Sequence, residues 1–310
     1  MSGPLAIRLE DDQIHAGERL RLSLQRTLRV PDDGRAYPLP PGFGRFPLRA
    51  AARYPSLPPE WRNDFFVPVY AREALWIAFD GAPWKPNAVK VGAGGVNVVT
   101  GGAWDDELHD DPQDYVVAPD QLWLDGINAG EERVRQFVVM PHGGGYTIEQ
   151  QITGGERVGG MQFVVFEPRP GTFPDEEPSR EDSFGALMSM ESAGTMGVAV
   201  GGEIRQKIHP DAYGIDTWDR EQRASFSVYL LTPAEFAAVT GEEPPPSPID
   251  ADEYTNAGFP WFELYEAEEA DLSPAEALER LKSIREIEER AAEKSLELRG
   301  SQTVELRRKR

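Results

Sequence analysis

The chain has 310 residues, with 53 acidic against 32 basic side chains and a formal net charge of −21. Its 40% hydrophobic content is enough to bury a substantial core, which excludes a coil throughout, and its 30 glycines and 27 prolines argue against a helical bundle. The absence of cysteine excludes disulfides, thiolate zinc sites, iron-sulfur clusters and a cysteine nucleophile.

The first residues carry no basic stretch ahead of an apolar run, so no secretory signal is expected and the product is read as cytoplasmic. Apolar runs such as Phe137 to Met140 and Phe163 to Phe166 are a fraction of the roughly 20 residues a membrane helix needs. From the amino end, Leu5, Ile7 and Leu9, then Leu20, Leu22, Leu24, Leu28 and Val30, follow the period-two pattern of half-buried strands. After a proline-rich loop, residues 65–70 and 74–79 are rich in aromatic and branched side chains. Ala88 to Val91 and Val96 to Thr100 flank GAGG, which reads as strand, tight turn, strand. Further expected strands are 115–117, 133–140, 146–153, 160–167, 196–208 and 224–231.

Helical signals come late. Thr232-Pro-Ala-Glu combines an N-cap, a first-turn proline and a glutamate at the third position, and Gly241 ends the short helix it opens. Ser273-Pro-Ala-Glu repeats the device and predicts one long amphipathic helix from Pro274 to about Leu298, with Leu278, Leu281, Ile284, Ile287, Ala291 and Leu296 as its apolar stripe. This helix lies along the body or pairs between subunits. The intervening 242–272 segment joins a proline run to Phe259, Trp261, Phe262, Leu264 and Tyr265, and is expected to dock on the body.

Together these signals predict an all-β to β-rich α+β fold, with a sandwich- or barrel-like antiparallel body and a carboxyl-terminal amphipathic helix. The expected organisation is a β-rich body over 1–241, as one unit or two packed subdomains, an acidic proline and aromatic docking segment over 242–272, the helix over 273–299 and a basic tail over 300–310.

Two segments, 101–132 and 242–271, each hold ten acids and no base, which disfavours nucleic acid and suits a cation or a basic partner. No phosphate-binding GxxxxGK[ST], GxSxG, HExxH or EF-hand pattern occurs. VGAGGVNVV lacks the third glycine of a dinucleotide fingerprint and precedes a strand-like run, and MPHGGGYT reads as a hairpin tip with His142 exposed. The four histidines, His15, His109, His142 and His209, show no helical ligand spacing. His109 sits in AWDDELHDDPQD, where crowded carboxylates need either solvent or a hard cation such as Ca2+. HPDAYGIDTWDRE supplies a second group with His209 and Asp211. Asp105, Asp106, Asp110, Asp111, Asp216 and Asp219 are therefore the candidate metal ligands, provided the two loops meet. Seven tryptophans, several beside acidic or turn residues, serve core packing or a carbohydrate platform.

The stretches RTLRVPDDGRAYPLPPGFGRFPLR, NAVKVGAGGVNVVTG, DPQDYVVAPDQLWLDGI, VRQFVVMPHGGGYTIEQQITG and IRQKIHPDAYGIDTWD, with EEPPPSP and FPWFELY, resemble an uncharacterised protein family of bacteria and filamentous fungi. The resemblance spans roughly residues 20 to 270, implies no activity or site residue, and leaves the last helix outside. The functional expectation is a non-catalytic binding or assembly protein, a homo-oligomer meeting partners through acidic and aromatic surfaces. The alternative is a cation-dependent carbohydrate-binding or glycan-cleaving protein.

Overall fold

The computed structural model describes residues 5–177, 196–248 and 271–301. Its first strands are β1 (Ile7–Glu10), β2 (Gln13–Ala16), β3 (Leu20–Thr27), β4 (Ala36–Tyr37), β5 (Gly42–Arg45) and β6 (Arg49–Ala50). They are followed by β7 (Phe65–Pro68), β8 (Ala74–Asp80), β9 (Asn87–Ala93), β10 (Val96–Asn97), β11 (Val116–Ala118) and β12 (Trp123–Leu124). The last are β13 (Gly126–Gly130), β14 (Arg133–Pro141), β15 (Met161–Pro168), β16 (Met196–Arg205) and β17 (Trp218–Leu231). The helices are α1 (Ile148–Thr153), α2 (Pro233–Thr240), α3 (Glu276–Glu279) and α4 (Ile284–Ser301). No helix among the described residues is long and apolar enough to cross a membrane.

The pairing is mostly antiparallel and forms two layers. One runs β1, β2, β3, β8, β14, β16. The other runs β9, β15, β17, β7, with β17 and β7 parallel. Met196 opposite Leu230 joins β16 to β17 and links the layers. Period-two side chains from both layers meet in one core: Leu20, Leu22 and Leu24 of β3, Leu75 and Ile77 of β8, Val89 and Val91 of β9, and Phe163 and Val165 of β15. The outer faces are covered as well. Phe66 and Leu231 pack under Phe236 of α2, and Val138, Met140 and Ala199 pack under Ile284 of α4. Burial on both faces explains why β8 and β15 read as nearly continuous apolar runs.

The body is thus the β-rich, sandwich- or barrel-like architecture expected. Gly94 and Gly95 both have positive φ, +57° and +74°, and turn β9 into β10, with Ala93 opposite Val96. The Thr232 capping box is formed in both directions, and Gly241 closes α2 in the left-handed conformation.

Three local expectations differ. Residues 146–153, expected as a strand, hold α1, because Thr147 Oγ1 accepts from Gln150 N and Gly154 supplies a left-handed C-cap. The strand expected over 96–100 stops at Asn97, whose Oδ1 accepts from Val99 N and Thr100 N and turns the chain. The single helix expected over 274–298 is two. Ser273 is not its cap: α3 starts after Ala275 without a side-chain cap bond, and Ser283 opens α4, its Oγ accepting from Glu286 N while its own N donates to Glu286 Oε2. The break lets Leu278, Leu281 and Ile284 all reach buried positions.

The described start of the 242–272 segment lies against the body. Glu242 pairs with Arg49, Pro245 O accepts from Tyr70 Oη at 2.8 Å, and Pro246 O accepts from Arg26 at 3.0 Å. Phe259, Trp261, Phe262, Leu264 and Tyr265, like the basic tail from residue 302, lie outside the described residues.

Candidate functional site

Alternation along β9 sends Val89 and Val91 into the core and turns Lys90 to the opposite face, where its side chain is only 1% exposed. A lysine ammonium there needs oxygen partners, since an unpaired buried charge costs several kcal/mol (~3–5). The acidic loop supplies them. Lys90 Nζ lies 2.7 Å from Asp105 Oδ1 and 2.7 Å from Asp114 Oδ2, and donates to Glu107 O at 2.5 Å. The Trp104 ring lies 5.6 Å from it, within cation-π range.

Asp114 organises the other side of the cluster. Its Oδ1 accepts from His109 N at 2.9 Å, and its Oδ2 meets His109 Nδ1 at 2.8 Å. His109 Nε2 is 4.0 Å from Asp105 Oδ2. Burial alone raises the Asp105 carboxyl, but the hydrogen bond and charge of Lys90 and the Glu107 N–H outweigh it and hold Asp105 below its ordinary value. Glu107 is likewise held down, chiefly by its hydrogen bond to Arg223 at 2.7 Å, with Arg220 at 3.5 Å adding charge.

Of the candidate ligands, Asp105 alone joins this cluster, and its companions are His109 and Asp114: ligand atoms of the three lie within 4.8 Å of one another. Asp106 turns away and accepts from Ser225 Oγ at 2.6 Å. Asp110 and Asp111 stand exposed at the loop tip. Asp216 is exposed in the short 3-10 turn Ile215–Thr217, and Asp219 Oδ1 accepts from Glu221 N and Gln222 N at the start of β17.

The two loops do lie side by side, joined through residues outside the proposed ligand set. Gln113 Oε1 accepts from Asp211 N at 2.7 Å, and Gln113 Nε2 donates to His209 O at 3.3 Å. Asp211 Oδ2 accepts from Tyr115 Oη at 2.6 Å and from Trp218 Nε1 at 2.9 Å. Burial, then the bond to Asp211, pushes the Tyr115 phenol well above its ordinary range, so it stays a neutral donor. With Trp218, Tyr115, Val117, Leu108 and Phe166 packed as a second apolar cluster, this is a rigid corner.

Chemically, three ligand atoms could hold a hard cation, but the Lys90 ammonium already supplies a positive charge to two of the carboxylates. Sequence reasoning missed Lys90, whose only local signal is a lysine inside the apolar run AVKVGA. Comparison with protein-family models, curated proteins and solved structures returns no match.

Proposed function

We propose that the chain is a binding and assembly protein, a homo-oligomer in which α4 pairs with a second copy. The observation that carries this is how α4 leaves the body. Its first turn is fixed: Ile284 is fully buried, Arg285 bonds Asp32 through its N–H and guanidinium at 3.1 Å, and Glu288 pairs with Arg72. From Glu289 to Lys294 every residue is exposed. An isolated helix shorter than about 12–15 residues is marginal in water, and most helical stability comes from packing an amphipathic face. In sequence, Ala291 and Leu296 continue the apolar stripe beyond the turn that Ile284 fixes to the body. A second copy offers that face an antiparallel or parallel partner, while exposed carboxylates such as Asp110 and Asp111 favour basic partners at other surfaces.

Ending the chain after Glu288 keeps the buried Leu278, Leu281 and Ile284 and removes the projecting turns. Light scattering should then report a lower assembly mass than for the full chain, with the melting temperature of the body retained. An unchanged mass would overturn the pairing.

A second reading, calcium-dependent carbohydrate binding or glycan cleavage, has the meeting of the two loops in its favour. Its metal would compete with Lys90 for Asp105 and Asp114. We expect excess calcium to leave the melting temperature of the wild type unchanged, and Lys90→Met to cost about 1–3 kcal/mol by orphaning acceptors. A calcium-dependent rise of several degrees in the wild type would instead favour the second reading.

A further inference from the structure

Between α1 and the carboxyl-terminal helices lies a cleft of about 340 Å3, lined by Ile152, Ala277, Leu281 and Ile287 on its apolar side and by Arg280, Lys282 and Arg290 as its charged groups. That volume is at the small end of ligand pockets, which run from about 300 to 1,000 Å3. Three cations and no carboxylate line it, on a chain whose overall charge is −21.

The cleft wall is held by hydrogen bonds. Gln151 of α1 clamps the α3–α4 connection in both directions: its Oε1 accepts from Lys282 N at 2.7 Å, and its Nε2 donates to Lys282 O at 2.9 Å. Arg135 of β14 reaches the next carbonyl toward the amino end, Leu281 O, at 2.6 Å. Leu281 itself is 4% exposed and so anchors the wall in the core. These clamps use backbone atoms of Leu281 and Lys282, which leaves the Lys282 ammonium for the cleft. The Arg280 guanidinium is 74% exposed and has one carboxylate partner, Glu276, one turn back on α3.

We infer that this cleft binds a small amphipathic organic anion, one acidic head group on a compact apolar body, free in solution. The head group meets Arg280, Lys282 and Arg290, and the body lies on Ile152, Leu281 and Ile287. A preformed wall lowers the ordering cost of binding, and the cations select against neutral molecules of the same shape. The cleft belongs to one chain, whether or not α4 meets a second copy.

The test uses the full chain and two fluorescent probes of similar shape, anionic 1-anilinonaphthalene-8-sulfonate and neutral N-phenyl-1-naphthylamine. The sulfonate should bind with one-to-one saturation and more tightly than the neutral probe. Arg280→Gln with Lys282→Gln should weaken the sulfonate about tenfold, a loss of about 1.4 kcal/mol, and leave the neutral probe unchanged. Glu276→Gln should tighten the sulfonate several-fold by freeing Arg280. Equal affinity for the two probes, or charge variants without effect on the sulfonate, would overturn the site. Glu276 and Arg280 are exposed and Lys282 is half-buried, so thermal melts of the variants should match the wild type. Phosphatidylglycerol vesicles provide the remaining arm: the protein should stay in the supernatant, and co-sedimentation abolished by the double variant would replace the free anion with a membrane lipid.

Discussion

Replacing Arg26 with methionine should cost about 3–5 kcal/mol of folding stability at pH 8, because it strips the cation from a carboxylate that has no water to fall back on. Arg26 Nε donates to Glu73 Oε1 at 2.6 Å, and the two side chains are 4% and 0% exposed. Glu73 Oε2 also accepts from Tyr70 N at 2.9 Å. Burial pushes the Glu73 carboxyl up to about 7 even with Arg26 beside it. Without the guanidinium it must rise further, so the loss should shrink as the pH falls toward 5 and the carboxyl takes up a proton. Methionine keeps much of the aliphatic stem, so the experiment removes charge more than volume, together with the guanidinium's 5.8 Å cation-π contact with the Phe46 ring. Urea titration at the two pH values measures both effects. Adding Glu73→Gln should recover part of the loss at pH 8, since a neutral amide no longer carries a charge into the core. A cost below about 1 kcal/mol at pH 8 would mean that the pair is hydrated and not buried.

The same pair shows how far the sequence could be read. A period-two run in residues 20–24 pointed to β3, and an aromatic and branched run in residues 74–79 pointed to β8, since both are local signals set by which faces meet apolar neighbours. Thr232, Pro233 and Glu235 gave α2 for the same reason: all the bonds of a capping box lie within one turn. Thr147-Ile-Glu-Gln carries the shorter version of that signal, but three glycines before it and an alternation of Tyr146, Ile148 and polar residues pointed to a strand. At the carboxyl end Ser273-Pro-Ala-Glu predicts one long helix, but Ser283-Ile-Arg-Glu carries the same cap pattern and is the one whose bonds form, where Leu278 and Ile284 are buried.

The candidate site was half legible. Its acids form a contiguous run, so the crowding of negative charge around His109 is visible in one segment. The cation that answers it is on β9, and Asp105 reaches it only because the loop folds back over the sheet. Contacts such as Gln113 to Asp211, 98 positions apart, depend on β-sheet register and leave no local trace. This is also why Asp106, Asp110, Asp111, Asp216 and Asp219 could be grouped by type and proximity in sequence, yet are parted by where their side chains point.

Asp125 should set a pH dependence opposite in sign to that of a carboxylate, such as Asp105, that its partners hold below its ordinary value. It follows β12 and is fully buried; Oδ2 accepts from Gln206 Nε2 at 3.0 Å, and Oδ1 is buried without a hydrogen bond. No cation is within bonding reach among the described residues, so burial raises the carboxyl to about 7, with the Trp123 and Gln206 groups offsetting only part. The unfolded chain releases this proton near 4, and the folded chain holds it to about 7. Between those values the folded state binds more protons, so the stabilisation is fully present below about pH 4 and is lost as the pH rises through 7. The difference corresponds to at most about 4 kcal/mol across that window. A neutral asparagine has no such proton to lose. Asp125→Asn should therefore flatten the fall in melting temperature between pH 5 and pH 8 and exceed the wild type in stability at pH 8. The comparison cancels the mutual repulsion of the other carboxylates, which both proteins share. If the two proteins lose stability in parallel over that range, Asp125 is ionised in the fold and the site around it is wet.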